Sequence, residues 1–150
     1  MQHRVSLLLF AILVLGGGLI IGFFTAPGVW YAQLAKPSFN PPNWVFAPVW
    51  TALYLLIAIA GWRIWNRNRE SWPMKFWWAQ LFLNFIWSPI FFAAERIDLA
   101  LAVILLLLCS IVGFIVTAWR LDRVASCLFI PYAVWVSFAS LLNASIFGLN

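Results

Sequence analysis

Five apolar stretches divide the chain, and each is about as long as a bilayer is thick. A membrane-spanning helix needs about 20 mainly apolar residues, and these stretches lack the alternating pattern of a barrel strand. The pattern therefore predicts an all-α membrane protein, with one domain of five transmembrane helices over residues 1–150. The predicted helices cover residues 5–24, 45–65, 75–94, 99–119 and 124–147, and a long Pro/Trp-rich loop joins the first two.

The lysines and arginines predict how these helices are oriented. Cytoplasmic loops of membrane proteins carry an excess of basic residues. Seven of the nine basic residues lie at one end of the predicted bundle, and only Lys36 and Arg96 lie at the other. We therefore expect a cytoplasmic N-terminus, a C-terminus on the opposite side and, by default, a bacterial cell membrane. The seven residues of the basic end are Arg4, Arg63, Arg67, Arg69, Lys75, Arg120 and Arg123.

Composition supports a membrane protein and argues against several functions. Hydrophobic residues make up 65% of the chain and charged residues 9%, an apolar excess that a water-soluble core of this size cannot bury. The net charge of +5 does not collect on one amphipathic face, which argues against nucleic-acid binding. The helix interiors hold no ionisable residue and the single histidine is His3, so we expect neither a metal site nor a hydrolytic site. We interpret Cys109 and Cys127 as small buried apolar residues.

Aromatic residues recur at helical spacing on three of the predicted helices. Residues three or four apart share one face of a helix, and one of these faces also carries two amides, Gln80 and Asn84. Amides in membranes commonly bond to neighbouring helices, but an aromatic cavity with a few polar groups is also the usual form of a ligand site. Spacing leaves both interpretations open, although the small Ala139 favours a cavity. The stripes are Phe46, Trp50 and Tyr54; Gln80, Asn84, Trp87 and Phe91; and Tyr132, Trp135, Ala139 and Leu142.

Other prolines, glycines and tryptophans have structural interpretations. Pro89 and Pro131 fall inside predicted helices, and we expect them to bend those helices. Gly18 and Gly22 permit close helix approach, within the bundle or between subunits. Tryptophans near helix ends suit the headgroup level of a membrane. Six of them lie near the basic helix ends: Trp62, Trp65, Trp72, Trp77, Trp78 and Trp119.

The loop between the first two helices is rich in prolines and aromatic residues. Residues that precede proline avoid helical geometry, and connections in bundles usually have about 2–8 residues, so this loop is stiff and long. It forms either a lid over the mouth of the bundle or an aromatic belt at the membrane surface. We call the connection between these two predicted helices the lid loop, and its candidate functional residues are Trp30, Lys36, Pro37, Phe39, Pro41 and Pro42.

Four strings of residues resemble the translocator protein family, also called TspO/MBR or tryptophan-rich sensory proteins. They are WYAQLAKPSFNPP (30–42), VWTALY (49–54), AQLFLNFIWSPIFF (79–92) and PYAVWVSFASLLN (131–143). They follow one another along nearly the whole chain, which makes the resemblance specific. The resemblance implies a five-helix bundle that forms a homodimer, with a ligand cavity between helices under the lid loop.

The function implied by this resemblance is that of a membrane receptor or sensor. It binds a porphyrin such as protoporphyrin IX, or isoquinoline- and benzodiazepine-type ligands, and takes part in tetrapyrrole regulation or transport. Porphyrin is then a ligand, and no cofactor is required. Some members are reported to degrade porphyrin in light through two tryptophans, which match Trp50 and Trp135 here. The family positions and the stripes together make the candidate ligand-binding residues Tyr31, Phe46, Trp50, Tyr54, Asn84, Trp87, Trp135 and Ala139.

Two features of the sequence restrict the classes of ligand that we expect. Animal members carry a Tyr and an Arg late in the fifth helix as a cholesterol motif, but no Tyr, Lys or Arg follows Tyr132 here, so cholesterol is not the expected ligand. Haem needs an axial His, Cys, Met or Tyr, and the stripes offer only Tyr54 and Tyr132, so metal-free porphyrin is expected to bind at least as well. Three functions remain: a porphyrin receptor, a light- and oxygen-dependent porphyrin-degrading enzyme, and a facilitative porphyrin transporter. Membrane lipid and a second copy of the chain are the expected partners.

Overall fold

The computed structural model describes residues 2–150, with side chains from Arg4 onward, so the side chain of His3 lies outside the described residues. Within this range the chain forms helices and no strands, which confirms the predicted fold class. Five helical spans are long and apolar enough to cross a membrane, and we number them one to five. They are Arg4–Phe24, Asn43–Arg67, Trp72–Ala93, Ile97–Ala118 and Arg123–Leu149.

Several spans consist of more than one helical segment. The α-helices are Gln2–Ala11, Gly17–Phe24, Val29–Gln33, Phe46–Arg67, Trp72–Ser88, Ile97–Ala118, Arg123–Leu128 and Ile130–Leu149. Shorter π-helical or 3₁₀ turns cover Ile12–Gly16, Asn43–Val45 and Pro89–Ala93. The third span begins three residues earlier than predicted, because Pro73 has the fixed φ that suits the first turn of a helix.

Pro89 and Pro131 affect their helices in different ways. Pro89 lacks an N–H for the helical ladder, and the third span widens there into the π turn Pro89–Ala93. Pro131 lies in the first turn of the helix Ile130–Leu149. A backbone N–H at this position has no acceptor within the helix, so its absence in proline costs no helical hydrogen bond. The fifth span is therefore divided at Phe129, and Pro131 begins the second helix instead of bending one.

The fourth span packs between the third and the fifth, and the first span packs against the second and third. The first helix of the fifth span also contacts the second span, which closes the bundle on one side. The interior is apolar and tightly filled, with fully buried side chains at Ile57, Ile64, Phe114 and Phe129. Close helix approach depends on Gly18, because a Cβ there would overlap the ring of Tyr54. Gly18 therefore serves packing within the chain, and the homodimer stays a prediction.

The outer surface of the bundle is apolar, as a chain in hydrocarbon requires. Large side chains such as Phe23, Phe82 and Val116 are mostly exposed on it. Cys109 and Cys127 are exposed as well, so the prediction that they are buried is wrong. In lipid a small apolar side chain has no need of protein burial, and hydrophobicity alone does not distinguish the inner face of a span from the outer one.

The interpretation of Trp77 as a headgroup-level anchor is wrong. Its side chain is fully buried among the first three spans, and its indole N–H donates to the Ile57 carbonyl at 2.9 Å. Gly61 makes this position available, because a Cβ there would overlap the indole ring. The neighbouring residue along the chain, Trp78, points outward and is 43% exposed, as an anchor would be.

One buried carboxylate ties the second span to the connection between the fourth and fifth. Asp122 is 4% exposed and accepts hydrogen bonds from Arg63 at 3.0 and 3.1 Å and from Arg67 at 2.7 Å. It also accepts from the Ala125 N–H at 3.0 Å, as the N-cap of the helix that follows. Burial opposes ionisation of this carboxyl, but the hydrogen bonds from the arginines and Ala125 outweigh it and lower the pKa of Asp122.

Replacing Asp122 by Asn should lower the free energy of unfolding by about 2 kcal/mol at pH 7, because hydrogen bonds to a charged group are lost. A lowered pKa means that the folded state binds fewer protons, so the Asp122 contribution is complete above the unfolded pKa of about 3.9. It disappears as the pH falls through the folded value. Denaturant unfolding in mixed micelles between about pH 7 and pH 2 should show a constant difference between the two proteins above about pH 4 and a shrinking difference below it.

Asp98→Asn provides the matched control for this experiment. Asp98 pairs with Arg96 at 2.7 Å, but both side chains are at least half exposed, so water screens the pair. The control should unfold like the wild type at pH 7. An equal loss of stability in both variants would contradict the role given to the buried carboxylate.

Candidate functional site

The aromatic stripes of the second and fifth spans meet inside the bundle. Phe46 approaches Trp135 with ring centroids 5.8 Å apart, and Trp50 approaches Tyr132 at 6.3 Å, both edge to face. Trp50 and Tyr54 lie one turn apart on the second span, with their centroids separated by 5.4 Å. Such ring geometries are favourable beyond the area they bury. We call these five rings the aromatic cluster.

A chain of hydrogen bonds runs from the aromatic cluster into the core and crosses three spans. The Tyr54 hydroxyl donates to Asn84 Oδ1 at 3.1 Å, and Asn84 Nδ2 donates to the Tyr132 hydroxyl at 2.9 Å. Tyr132 donates in turn to Gln80 Oε1 at 2.9 Å, and Gln80 Nε2 donates to the Trp77 carbonyl at 2.9 Å. Both amides are buried. Both amides therefore form hydrogen bonds between helices, which is one of the two roles that their spacing left open.

The direction of this chain follows from its inner end. A main-chain carbonyl can only accept, so Gln80 must turn its NH₂ group toward Trp77 and its oxygen toward Tyr132. Tyr132 then has to donate to Gln80 and accept from Asn84, which directs the Asn84 oxygen toward Tyr54. The orientations of both amides are thus determined by the network. The Tyr54 and Tyr132 protons are both used within the protein.

The candidate residues on the second and fifth spans retain accessible surface. Phe46, Trp50, Tyr54, Trp135 and Ala139 are all partly exposed, whereas the amides behind them are buried. Ala139 follows Trp135 by one helical turn and offers only a methyl group. A flat apolar ligand can therefore contact several rings without disturbing the polar chain.

Tyr31 and Trp87 belong to a second, adjoining group of rings and not to the aromatic cluster. Trp87 stacks on Phe91 at 5.2 Å, and Tyr31 meets Phe91 at 6.1 Å. The Trp87 indole N–H donates to Asn143 Oδ1 at 3.2 Å, which links the third span to the fifth. Tyr31 is buried in this group, and burial raises the pKa of its phenol. Phe46 packs against the second group as well as against Trp135 and so connects the two.

The lid loop lies against the same end of the bundle. It begins with the short helix Val29–Gln33, and Trp30 contacts Phe91 at 5.9 Å. Phe39 meets Phe138 of the fifth span at 6.3 Å. The Asn150 side chain both accepts from the Ala35 N–H and donates to the Ala35 carbonyl, each at 3.0 Å. These contacts fasten the lid loop to the third and fifth spans.

Lys36 and the prolines shape the lid loop itself. The Lys36 ammonium lies 4.6 Å from the centre of the Tyr31 ring and donates to the carbonyls of Ala32 and Leu34. Residues 35–37 and 40–42 have no helical hydrogen bonding, in agreement with the expected effect of Pro37, Pro41 and Pro42.

Four residues that belong to the site geometry are missing from the candidate set. Gln80 and Tyr132 lie on the predicted stripes, and their polar side chains in apolar helices were the available signal. Asn143 carries the same signal, because a lone amide in an apolar span needs a partner. Phe138 is off the stripe, and only the position of the lid loop identifies it. Among the described residues no group of three His, Cys, Asp or Glu side chains could hold a metal ion.

The chain is similar in sequence to known proteins over most of its length. Residues 9–149 match the sequence profile of the TspO/MBR family. The chain is similar to the tryptophan-rich protein TspO of Archaeoglobus fulgidus, with 40% identity over 141 residues that cover 91% of this chain and 92% of that protein. Protein CrtK of Rhodobacter capsulatus is 37% identical over 133 residues, covering 86% and 83%. The translocator protein of Homo sapiens is 33% identical over 126 residues, covering 81% and 75%.

These matches extend over most of each relative and include bacterial proteins. The five apolar spans make the chain an integral, multi-pass membrane protein. Since the family profile matches residues 9–149 and the relatives align over most of their own length, the chain belongs to the TspO/MBR family.

Proposed function

We propose that the protein is a membrane receptor that binds a porphyrin-like tetrapyrrole against the aromatic cluster. The observation that carries this proposal is the contact between two spans, in which Phe46 meets Trp135 and Trp50 meets Tyr132. A porphyrin is a broad, flat π-system, and neighbouring aromatic rings attract such a system by stacking and by edge contacts. Membership of the TspO/MBR family supports the same class of ligand.

The polar edge of the ligand has a complement at the lid end. Protoporphyrin IX carries carboxylate arms, which need a cation or water. Arg96 at this end is already paired with Asp98, whereas Lys36 donates only to main-chain carbonyls in the described part of the chain. In the proposed complex the ring system contacts the aromatic cluster, and a carboxylate pairs with Lys36 while the lid loop covers the ligand.

Removing both tryptophan side chains of the aromatic cluster should weaken porphyrin binding. Each ring contributes about 1 kcal/mol beyond simple area burial, so Trp50→Ala combined with Trp135→Ala should raise Kd about thirtyfold. Fluorescence titration of protoporphyrin IX into the purified protein, kept in the dark, measures this change.

Trp72→Ala combined with Trp78→Ala is the matched control, because it removes two exposed tryptophans at the other end of the bundle. The control should bind porphyrin with the affinity of the wild type. Unchanged affinity in the Trp50/Trp135 variant, with folding intact, would place the ligand elsewhere.

Metal-free protoporphyrin should bind at least as tightly as haem. An axial phenolate ligand requires a tyrosine that can lose its proton to the iron. Tyr132 donates its proton to Gln80 and Tyr54 donates its proton to Asn84, so each hydroxyl is already committed within the hydrogen-bond chain. Parallel titrations with absorbance spectra measure the preference. Tighter haem binding with the spectrum of ligated iron would contradict it.

A second candidate function is light-dependent degradation of the bound porphyrin, with dioxygen as the oxidant. The observation that favours it is the proximity of Trp50, an oxidisable side chain, to both Tyr54 and Tyr132. In this reaction one electron would pass from the light-excited porphyrin to dioxygen, and the superoxide formed would combine with the porphyrin radical, so that a carbon–carbon double bond of the ring breaks and two C=O bonds form. A tryptophan would be oxidised and then reduced again in passing this electron, so it is regenerated in each cycle.

Phenylalanine variants separate this enzyme from a receptor, since Phe keeps an apolar ring but is much harder to oxidise. Trp50→Phe with Trp135→Phe should retain most porphyrin binding and lose at least about tenfold in the rate of absorbance decay in light and oxygen. Equal decay rates in the variant and the wild type would identify ordinary photobleaching and leave the receptor proposal intact.

The orientation and assembly are part of the same proposal. We place the arginine-rich end in the cytoplasm, following the excess of Lys and Arg there. The lid loop then faces the opposite side, from which ligand enters, and a homodimer in lipid is the proposed assembly. A facilitator of porphyrin transport would use the same site, with opening of the lid loop as the added step.

A further inference from the structure

A second site lies at the end of the bundle opposite the lid loop. A cavity of about 400 Å³ opens where the second span ends and the fourth connects to the fifth. This volume is in the range of small-molecule sites, which is roughly 300–1,000 Å³. Its wall includes four arginines and one acid: Arg63, Arg67, Arg120, Arg123 and Asp122.

The charges of this cavity are not balanced within the protein. Asp122 is the partner of Arg63 and Arg67 together, so one negative charge faces two positive ones. Within residues 2–150, Arg120 and Arg123 have no carboxylate within ion-pair distance. The cavity therefore has a surplus of three positive charges and suits an anion.

The geometry of the wall prepares it for an oxygen-rich anion. Asp122 is buried and engages Arg63 through Nε and one terminal nitrogen, but it engages Arg67 only through Nε. A guanidinium has five N–H groups in a planar fork. Arg67 therefore keeps its terminal N–H groups for a ligand, while the hydrogen bond from its Nε to Asp122 fixes the position of the guanidinium. Arginine forks of this kind match phosphate oxygens in two-point hydrogen bonds.

The position of the cavity along the spans indicates which kind of molecule would carry a phosphate group into it. Arg67 ends the second span and Arg123 begins the fifth, so the cavity is at the level of the lipid headgroups. Trp119 lines it and is 45% exposed, as interfacial tryptophans are. Val124 also lines it and is 52% exposed, and Val116, one helical turn before Arg120, is 66% exposed, so both can contact an acyl chain. A free anion would make no use of this apolar border.

We infer that this cavity binds the phosphate headgroup of an anionic phospholipid, with Arg120 and Arg123 as its principal contacts. Basic pockets between spans recognise anionic headgroups in this way. A zwitterionic headgroup brings its own cation, which the surplus of arginines repels. None of the residues that line this cavity belongs to the aromatic cluster, so the inference stands independently of the porphyrin proposal.

Native mass spectrometry of the detergent-purified full chain tests the inference with phosphatidylglycerol and phosphatidylcholine of identical acyl chains. Phosphatidylglycerol should bind about tenfold more tightly than phosphatidylcholine. Arg120→Gln combined with Arg123→Gln should abolish this preference and leave folding unchanged, because the ion pairs of Asp122 are untouched. A preference that survives the double substitution would overturn the inference.

Arg69→Gln combined with Lys75→Gln is the matched control. It removes the same charge from the same end of the bundle, and both side chains lie over tryptophan rings as Arg123 does. Neither residue lines the cavity. This variant should keep the lipid preference within about twofold. A loss equal to that of the Arg120/Arg123 variant would mean general surface charge, and it would overturn the inference.

Two measurements on the wild-type protein complete the test without any substitution. The preference for phosphatidylglycerol should shrink as ionic strength rises, because salt screens exposed arginines. Inorganic phosphate at millimolar concentration should leave bound phosphatidylglycerol in place. Displacement of the lipid by phosphate would assign the cavity to a free anion and would overturn the lipid as its ligand.

Discussion

The hydrogen-bond chain between Tyr54 and the Trp77 carbonyl is the interaction on which the bundle interior depends. In hydrocarbon an unpartnered polar group costs several kcal/mol, so every amide and hydroxyl inside the spans must find a partner. The second, third and fifth spans each supply members of the chain, so these hydrogen bonds hold the three spans against one another. Because the innermost acceptor is a carbonyl, the direction of the chain is determined as well.

The aromatic cluster follows from this arrangement. The hydroxyls of Tyr54 and Tyr132 meet the same amide, Asn84, so their rings are drawn to one place, and the Trp50 ring contacts both of them. Gly18 permits the Tyr54 ring to lie against the first span. The polar atoms are used inside the protein, and the accessible surface that remains is aromatic. The proposed ligand site therefore offers aromatic surface and few free hydrogen-bonding groups.

The two ends of the molecule carry different chemistry for a physical reason. At the lid end, aromatic contacts and the Asn150 side chain fasten the loop, and Lys36 is the cation that has no carboxylate partner among the described residues. At the other end, buried Asp122 organises two arginines and leaves a surplus of positive charge. Charge is excluded from the hydrocarbon between them, so the ends can be basic to different degrees without affecting the packing of the spans. The lid end carries the proposed porphyrin site, and the other end carries the proposed lipid site.

The sequence by itself determined the number of spans, their approximate bounds, the basic end and the family, because length, hydropathy and charge act locally along the chain. It also identified the three stripes that contain Trp50, Asn84 and Trp135, since residues at helical spacing lie on one face of their own helix. Only the tertiary structure decided that Trp77 is buried, that Cys109 is exposed and that Tyr31 joins a neighbouring group of rings. Every face of a span in lipid is apolar, so hydropathy does not identify the inner face. That choice is made by close packing at glycines and by the pairing of polar groups between spans.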